Sequence, residues 1–263
     1  MLARTIKALF FQVPSGQLNP GERQLRRVRL LAITMVRDEA RFLPGMLRNI
    51  GPQVDGLLAL DDGSSDGSGR LLEQSPFVLE VLRSPTDRPA YDEVHGHRRL
   101  MEAALRHGAE WVIAVDADER LERDFRLRAE RVIRRGQKIG LKAFEVHLRE
   151  LWGSTDRCRV DGLWGQKTVP RLFRVLPEHR FDDRPLHGTK APLQGKILGH
   201  FPLADLMIYH LRMVRAEDRE VRRQRYERLD PQSLFQRQIG YGYLTDESRI
   251  RLRPVPAGRG FEE

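Results

Sequence analysis

The stretch VIAVDADERL, residues 112–121, places two aspartates and a glutamate directly behind a run of apolar β-formers. Val, Ile, Ala and Val in succession read as a strand buried on both faces, and Asp116, Asp118 and Glu119 then crowd its end. Carboxylates this close repel one another unless a cation or a donor group offsets them. A bound divalent metal is the expected counter-ion.

Outward from this strand the same alternation recurs. VRLLAITMV (28–36) is another aliphatic run, and EARFLPGMLRNI (39–50) follows it with helical spacing. VDGLLAL (54–60) reads as a buried strand, SDGSGRLLEQ as the opening of a helix with Ser65 or Asp66 at its N-cap, and FVLEVL (77–82) as a further strand. A helix is expected over about 92–107 and a basic one over roughly 122–135, then strands at LKAFEVHL (141–148) and KTVPRLFRVL (167–176). Strands alternating with helices predict an α/β protein: a Rossmann-like, mainly parallel sheet flanked by helices, with ligands at the carboxyl ends of the strands. From about residue 204 the chain reads as helical and charged, with Pro231 opening a last helix and RLRPVPAGRGFEE extended or disordered. The expected division is a core domain over 1–203 and a C-terminal helical extension with its tail, packed on that core, over 204–263.

Apolar and charged fractions of 40% and 32% in 263 residues describe a chain able to bury a full core, and no apolar run is long enough to cross a bilayer. The N-terminal MLARTIKALFF is basic and apolar but has neither a long hydrophobic core nor a small-residue cleavage site, which favours a first strand or docking segment over a signal peptide. Cys158, the one cysteine, excludes a disulfide within the chain and fits a reducing compartment, so the expected location is cytoplasmic, with peripheral contact at a membrane left open. The net charge of +9 comes mostly from arginine, 40 against 6 lysines, spread along the whole chain rather than gathered in a block. Such spread favours a solvated surface, with an anionic substrate or phospholipid as the alternative.

A second acidic strand end strengthens the metal reading. LALDDGSSDGSG (58–69) sets Asp61 and Asp62, then small residues, then Asp66 behind a strand. Glycine and serine allow backbone to approach a ligand, and a carboxylate after a strand can accept from a base N–H or a ribose hydroxyl. Asp116-Ala117-Asp118 aims one carboxylate at a divalent cation and leaves the other for a water ligand or a sugar hydroxyl, which suits Mg2+ or Mn2+ holding a diphosphate.

With these residues in order, the chain resembles the family-2 glycosyltransferases of the GT-A fold. MVRDEARFLPGML is similar to the family's first strand and helix, LALDDGSSDGS to its nucleotide-binding turn, and EWVIAVDADE to its Asp-x-Asp strand, with fainter similarity through PRLFRV, LHG and IYH. The resemblance implies metal-dependent, inverting transfer of a sugar from a nucleotide-diphosphate donor, with UDP-sugar favoured and GDP and dTDP open. It implies that Asp62 contacts the base or ribose, supported by Asp61 and Asp66, with Thr34, Arg37 and Glu39 flanking the pocket. Arg98 or Arg99 falls where the family places a basic group near the pyrophosphate. Asp118 is implied as the direct metal ligand, Asp116 as partner of the ribose, donor sugar or metal water, and His210 as a late metal ligand ahead of His187 and His200.

An inverting transfer needs a carboxylate, less often a histidine, to take the acceptor's proton. The resemblance implies that this group follows a Gly-rich acceptor loop; VDGLWGQ (160–166) is similar to such a loop and RFDDRPLHG (180–188) follows it, so Asp182 or Asp183 is the expected base, with Glu178 and Asp161 as alternatives. His187-Gly188 stands where several relatives read His-Glu. The charged stretch from His210 to Pro231 reads as a solvated helix whose arginines could reach a diphosphate, and Trp152 and Trp164 as an acceptor platform or as core. The acceptor stays open among a glycan, a lipid-linked glycan, a small molecule and an anionic polymer. Nucleotidyl transfer is disfavoured, because TMVRDEA lacks a Gly-rich triphosphate loop. A glycosyltransferase-like fold acting on nucleic acid through its basic surface is the remaining alternative.

Overall fold

The computed structural model describes residues 12–13, 27–84, 93–181, 189–234, 236 and 239–262. The expected N-terminal segment 1–11, the carboxylates Asp182 and Asp183, and His187 lie outside them.

Strands β1 (Gln12–Val13), β2 (Leu30–Val36), β3 (Leu57–Asp61), β4 (Val78–Arg83), β5 (Trp111–Ala114), β6 (Glu119–Leu121), β7 (Ala143–Glu150), β9 (Thr168–Arg174) and β10 (Leu203–His210) form one mixed, mostly parallel sheet. Its order is β1-β10-β7-β9-β5-β2-β3-β4, with β6 paired to β10. A separate two-stranded ribbon joins β8 (Arg157–Arg159) to β11 (Leu252–Pro254). The helices are α1 (Leu43–Ile50), α2 (Ser68–Glu73), α3 (Glu93–Arg106), α4 (Phe125–Lys138) and α5 (Ala216–Leu229).

The continuous apolar runs are explained by burial on both faces. Successive strand residues point to opposite sides. Leu30, Ala32, Leu57, Ala59, Trp111 and Ile113 accordingly join one core with residues of α1 and α4, while Leu31, Ile33, Leu58, Leu60, Val112 and Ala114 join the other beneath α3. From β2 the chain moves outward through β3 to β4, then returns to lay β5 against the other side of β2. After β5 it continues away from β3. The β2/β5 boundary is therefore a point where connections diverge, the place where parallel sheets leave a crevice beyond their carboxyl ends.

The sheet is mainly parallel as expected, with β9 running antiparallel between β5 and β7 and β6 antiparallel to β10. Several expectations are corrected. Helix α2 begins at Ser68 behind Gly67 (φ 95°), and Asp66 takes the Ser68 N–H from one residue outside the cap. Helical character after residue 204 starts only at Ala216, because LADLMIYH alternates into the sheet as β10. Pro231 opens no helix but follows the end of α5 in a turn. Of the extended and disordered alternatives for the tail, the structure shows the extended one: β11 pairs with β8, and Phe261 packs on Tyr209 with ring centroids 5.1 Å apart.

Candidate functional site

The acids gather where the topology leaves its crevice. Two loops at the ends of β2 and β3 are stitched together by short polar side chains. Asp38, in the left-handed region at φ 55°, accepts the Ser65 N–H at 2.7 Å, and Ser64 Oγ accepts the Asp38 N–H at 3.0 Å. Ser68 Oγ accepts from Glu39 N at 2.8 Å, and Asp66 Oδ2 from Ala40 N at 2.8 Å. Asp61 accepts from Ser64 N (2.9 Å) and from Arg83 Nη1 (3.0 Å). Asp61 and Asp66 thus hold the loops, and these bonds leave other groups to face the crevice.

Thr34 at the end of β2 and Asp62 after β3 are 2% and 7% exposed. Thr34 Oγ1, Asp62 Oδ2 and Glu39 Oε2 are buried and have no hydrogen-bond partner among the described residues. Arg37 Nη1 stands 3.7 Å from Asp62 Oδ2, close enough to pair electrostatically but not to bond. Buried acceptors without donors cost about 1–3 kcal/mol each, so each of the three is a candidate to receive a ligand's donor. Arg98 lies on the exposed side of α3, whereas Arg99 is tied to Arg83 O at 2.9 Å.

The Asp-x-Asp turn is held by the sheet beside it. Asn49 of α1 bonds Leu121 at both backbone groups, and Arg120 donates to Ala117 O, Glu119 O and Phe42 O. Asp116 receives Arg171 Nη2 at 2.9 Å and Lys190 Nζ. Burial would raise its pKa, but Lys190 and Arg171 hold it well below the usual carboxylate range. Glu119 accepts the Asp116 N–H at 2.9 Å and Arg171 Nη2 at 2.7 Å, and burial pushes its pKa up.

Register brings His210 to the second aspartate. β10 pairs antiparallel with β6, His210 opposite Glu119, and Leu211 N bonds Asp118 O at 2.8 Å. His210 Nδ1 bonds Glu150 Oε2, and Nε2 lies 3.2 Å from Asp118 Oδ2 and 3.1 Å from Arg222 Nη1. Protonated, Nε2 donates to Asp118; neutral, it accepts from Arg222. Burial opposes the imidazolium, but Glu150 and Asp118 override it and push its pKa up to about 9. Asp118 is held low in turn: burial raises it, while His210, Arg212 and Arg222 lower it further. Arg212 bridges Asp118 (Nε, 2.6 Å) to Glu39. Burial raises the Glu39 pKa.

The structure therefore brings Glu39, Asp116, Asp118 and His210 within electrostatic reach of one another and sets Arg37 beside Asp62, while Thr34 lies within β2. Among the alternatives, Glu178 is exposed, His200 is exposed in a turn with Ile197, and Asp161 pairs with Arg159. Trp152 and Trp164 are 2% and 4% exposed and form a satellite core with Met213, Tyr241 and Leu244, so neither is an open platform. Sequence reasoning missed Glu150, Lys167, Arg171 and Lys190. Arg171 and Lys190 stand in or beside the similar stretches PRLFRV and LHG, whereas nothing local marks Glu150.

Could this set hold a divalent cation? Among the described residues no group of three or more His, Cys, Asp and Glu side chains is arranged as a metal cage. The pair Asp118 and His210 nevertheless has suitable chemistry. Glu150 on Nδ1 orients the ring as carboxylates do behind metal-bound histidines, and Nε2 with Asp118 encloses a proton that a cation could replace. Two protein donors with the remaining positions left to phosphate oxygens and water suit Mg2+ or Mn2+.

Among known proteins, no family model matches. An uncharacterized protein of Mycobacterium tuberculosis and one of Mycobacterium bovis are each 27% identical over 235 residues, 84% of this chain and 56% of theirs. The chain thus spans about half the length of the curated relatives it matches. Crystal structures of S. aureus TarS overlay with a TM-score of 0.46: one at 15% identity over 77% of this chain and 40% of that chain, another at 12% over 83% and 69%. Mannose-1-phosphate geranyltransferase from Thermus thermophilus overlays at 0.32, with 14% identity over 57% of this chain and 51% of its own. Among the described residues no helix is long and apolar enough to cross a membrane.

Proposed function

We propose that the chain is an inverting glycosyltransferase of family-2, GT-A type that takes a nucleotide-diphosphate sugar, a UDP-sugar in the first instance. The observation that carries this reading is the set of buried acceptors Asp62 Oδ2, Thr34 Oγ1 and Glu39 Oε2 in and beyond β2 and β3, none with a hydrogen-bond donor among the described residues. A nucleoside supplies the missing donors through its base N–H and ribose hydroxyls. Asp62 takes the base or ribose, with Arg37 beside it, and Asp61 and Asp66 keep the loops closed around it.

The diphosphate lies toward Asp116 and Asp118. Lys190, Arg171 and Arg212, which now neutralise the acids, and Arg222, which lies beside His210, exchange part of these contacts for phosphate oxygens and so offset the leaving group's charge. Asp118 and His210 would hold Mn2+ or Mg2+, whose chemistry is to neutralise the departing diphosphate. Asp182 or Asp183 takes the acceptor's proton as its oxygen attacks the anomeric carbon. The acceptor comes from the class of glycans, lipid-linked glycans, small hydroxyl compounds or anionic polymers. A nucleic-acid reading gains little from the fold, since buried arginines such as Arg126, Arg159, Arg171 and Arg219 are paired with carboxylates.

Calorimetric titration of UDP, GDP and dTDP, each with Mn2+ and with EDTA, into wild type and Asp62→Ala tests the reading. Binding of one nucleotide that needs the metal and is lost in the variant is the expected result. No nucleotide binding in any condition overturns it. Loss of transfer in Asp182→Ala or Asp183→Ala, with donor binding intact, identifies the base.

A further inference from the structure

A cavity of about 550 Å³ opens beside the β8–β11 ribbon, where the VDGLWGQ loop meets the C-terminal segment. Its walls include Arg159, Trp164, Tyr243, Asp246, Arg249 and Arg251, and its size falls within the range of small-ligand sites. Arg159 is 4% exposed, fixed by Asp161 at 3.0 Å through both Nε and Nη2, and stacked over Trp152 and Trp164. Its third nitrogen, Nη1, is buried and has no acceptor among the described residues.

The carboxylates of the wall already have donors. Asp161 takes Arg159 and the Arg251 N–H, and Asp246 takes the Ser248 N–H at 2.9 Å. Arg249 and Arg251 are exposed, and among the described residues their side chains form no hydrogen bond or ion pair. With Arg159 neutralised by Asp161, the wall holds two further guanidiniums, Arg249 and Arg251, against the one remaining carboxylate of Asp246, which Arg249 reaches electrostatically. Tyr243, partly exposed, packs on Trp164 at 5.3 Å and adds a ring to the wall. A chain of contacts links the cavity wall to the candidate site: Lys167 Nζ lies 5.9 Å from the Trp164 ring and pairs with Glu150, which bonds His210.

We propose that this cavity is the acceptor subsite and that it takes an anionic saccharide. The sugar ring packs on Tyr243, its acid group lies on Arg249 and Arg251, and one ligand oxygen satisfies Arg159. Aromatic rings accept the apolar face of a sugar while guanidiniums pair with carboxylate or phosphate oxygens. The cavity's role as acceptor subsite rests on the glycosyltransferase reading; its binding of an anionic saccharide does not.

The test uses the full chain and three probes observed by saturation-transfer NMR and calorimetry: trigalacturonic acid, glucose 6-phosphate and maltotriose. Trigalacturonic acid, glucose 6-phosphate or both should bind at least tenfold more tightly than maltotriose, and the stronger of the two names the acid group. Raising NaCl from 50 to 500 mM should weaken that binding several-fold, because the rim arginines are solvent-exposed. Arg249→Ala/Arg251→Ala should weaken it at least tenfold, and Arg249→Glu/Arg251→Glu should abolish it. Both positions are exposed, so the fold is expected to survive, as circular dichroism will verify. Equal binding of maltotriose, undiminished binding in the variants, or no binding of either acid probe overturns the proposal. Nucleotide titration of the same samples separates the two readings. Intact nucleotide binding without saccharide binding sinks only the subsite, and saccharide binding without nucleotide binding sinks the donor reading.

Discussion

Replacing Arg259 by alanine removes the cation that holds Glu122, a fully buried carboxylate at the end of β6. Arg259 Nε and Nη2 reach Glu122 at 2.5 and 2.8 Å, and Nη1 reaches Asp205 at 2.6 Å. Glu122 is 0% exposed, and its Oε1 also accepts the Met207 N–H at 2.8 Å. Breaking a buried pair from one side costs about 3–5 kcal/mol, because the remaining charge stays in the interior. Arg128 Nε, 3.7 Å from Glu122, retains some counter-charge and places the expected loss near the lower bound, about 3 kcal/mol. For a chain of this size that is a melting shift of roughly 6–12 °C. Urea unfolding followed by circular dichroism, at pH 7 with wild type, Arg259→Ala, Glu122→Gln and the double variant, measures it. The double variant should be more stable than Arg259→Ala alone, since no buried charge is left unpaired. A loss under about 1 kcal/mol, or an equal loss when Arg259→Ala is made on top of Glu122→Gln, would refute the idea that the tail stabilises the core through this ion pair.

Three further outcomes follow from the same geometry. Glu150→Gln should weaken Mn2+ binding in the presence of nucleotide by about 10–100-fold, measured by calorimetry, since the carboxylate orients His210; unchanged affinity removes that role. Burial drives His147 down to about 4, so between pH 6.5 and 4 the unfolded chain takes up a proton that the folded chain refuses, and stability falls as pH drops through that window. Wild type should therefore lose about 2 kcal/mol more than His147→Gln between pH 7 and pH 5 in urea titrations; parallel losses would contradict the assignment. Cys158 is 3% exposed, and burial pushes its thiol up to about 11, so an aromatic disulfide reagent at pH 8 should modify it only when urea is added, and rapid labelling of the native chain would count against this.

Reading the chain locally reached the strands that lie between two apolar layers. Leu30–Val36, Leu57–Asp61 and Trp111–Ala114 must be strands because their unbroken apolar runs need burial on both sides, and the polarity change at each end locates Asp62, Asp116 and Asp118. That is short-range information, carried by neighbours in sequence. What meets those acids is long-range. His210 reaches Asp118, 92 residues away, through the antiparallel register of β10 on β6; Glu150 reaches His210 through parallel pairing of β7 with β10; Arg222 arrives from α5. The antiparallel insertion of β9 and the docked tail are of the same kind. A segment such as RLRPVPAGRGFEE has no periodicity of its own, and it is ordered by what it touches: Arg157–Arg159 for its strand, Glu122 for its arginine and Tyr209 for its phenylalanine. Periodicity fixes which face of an element is apolar. Pairing partners and buried counter-charges are settled only when those faces close on one another.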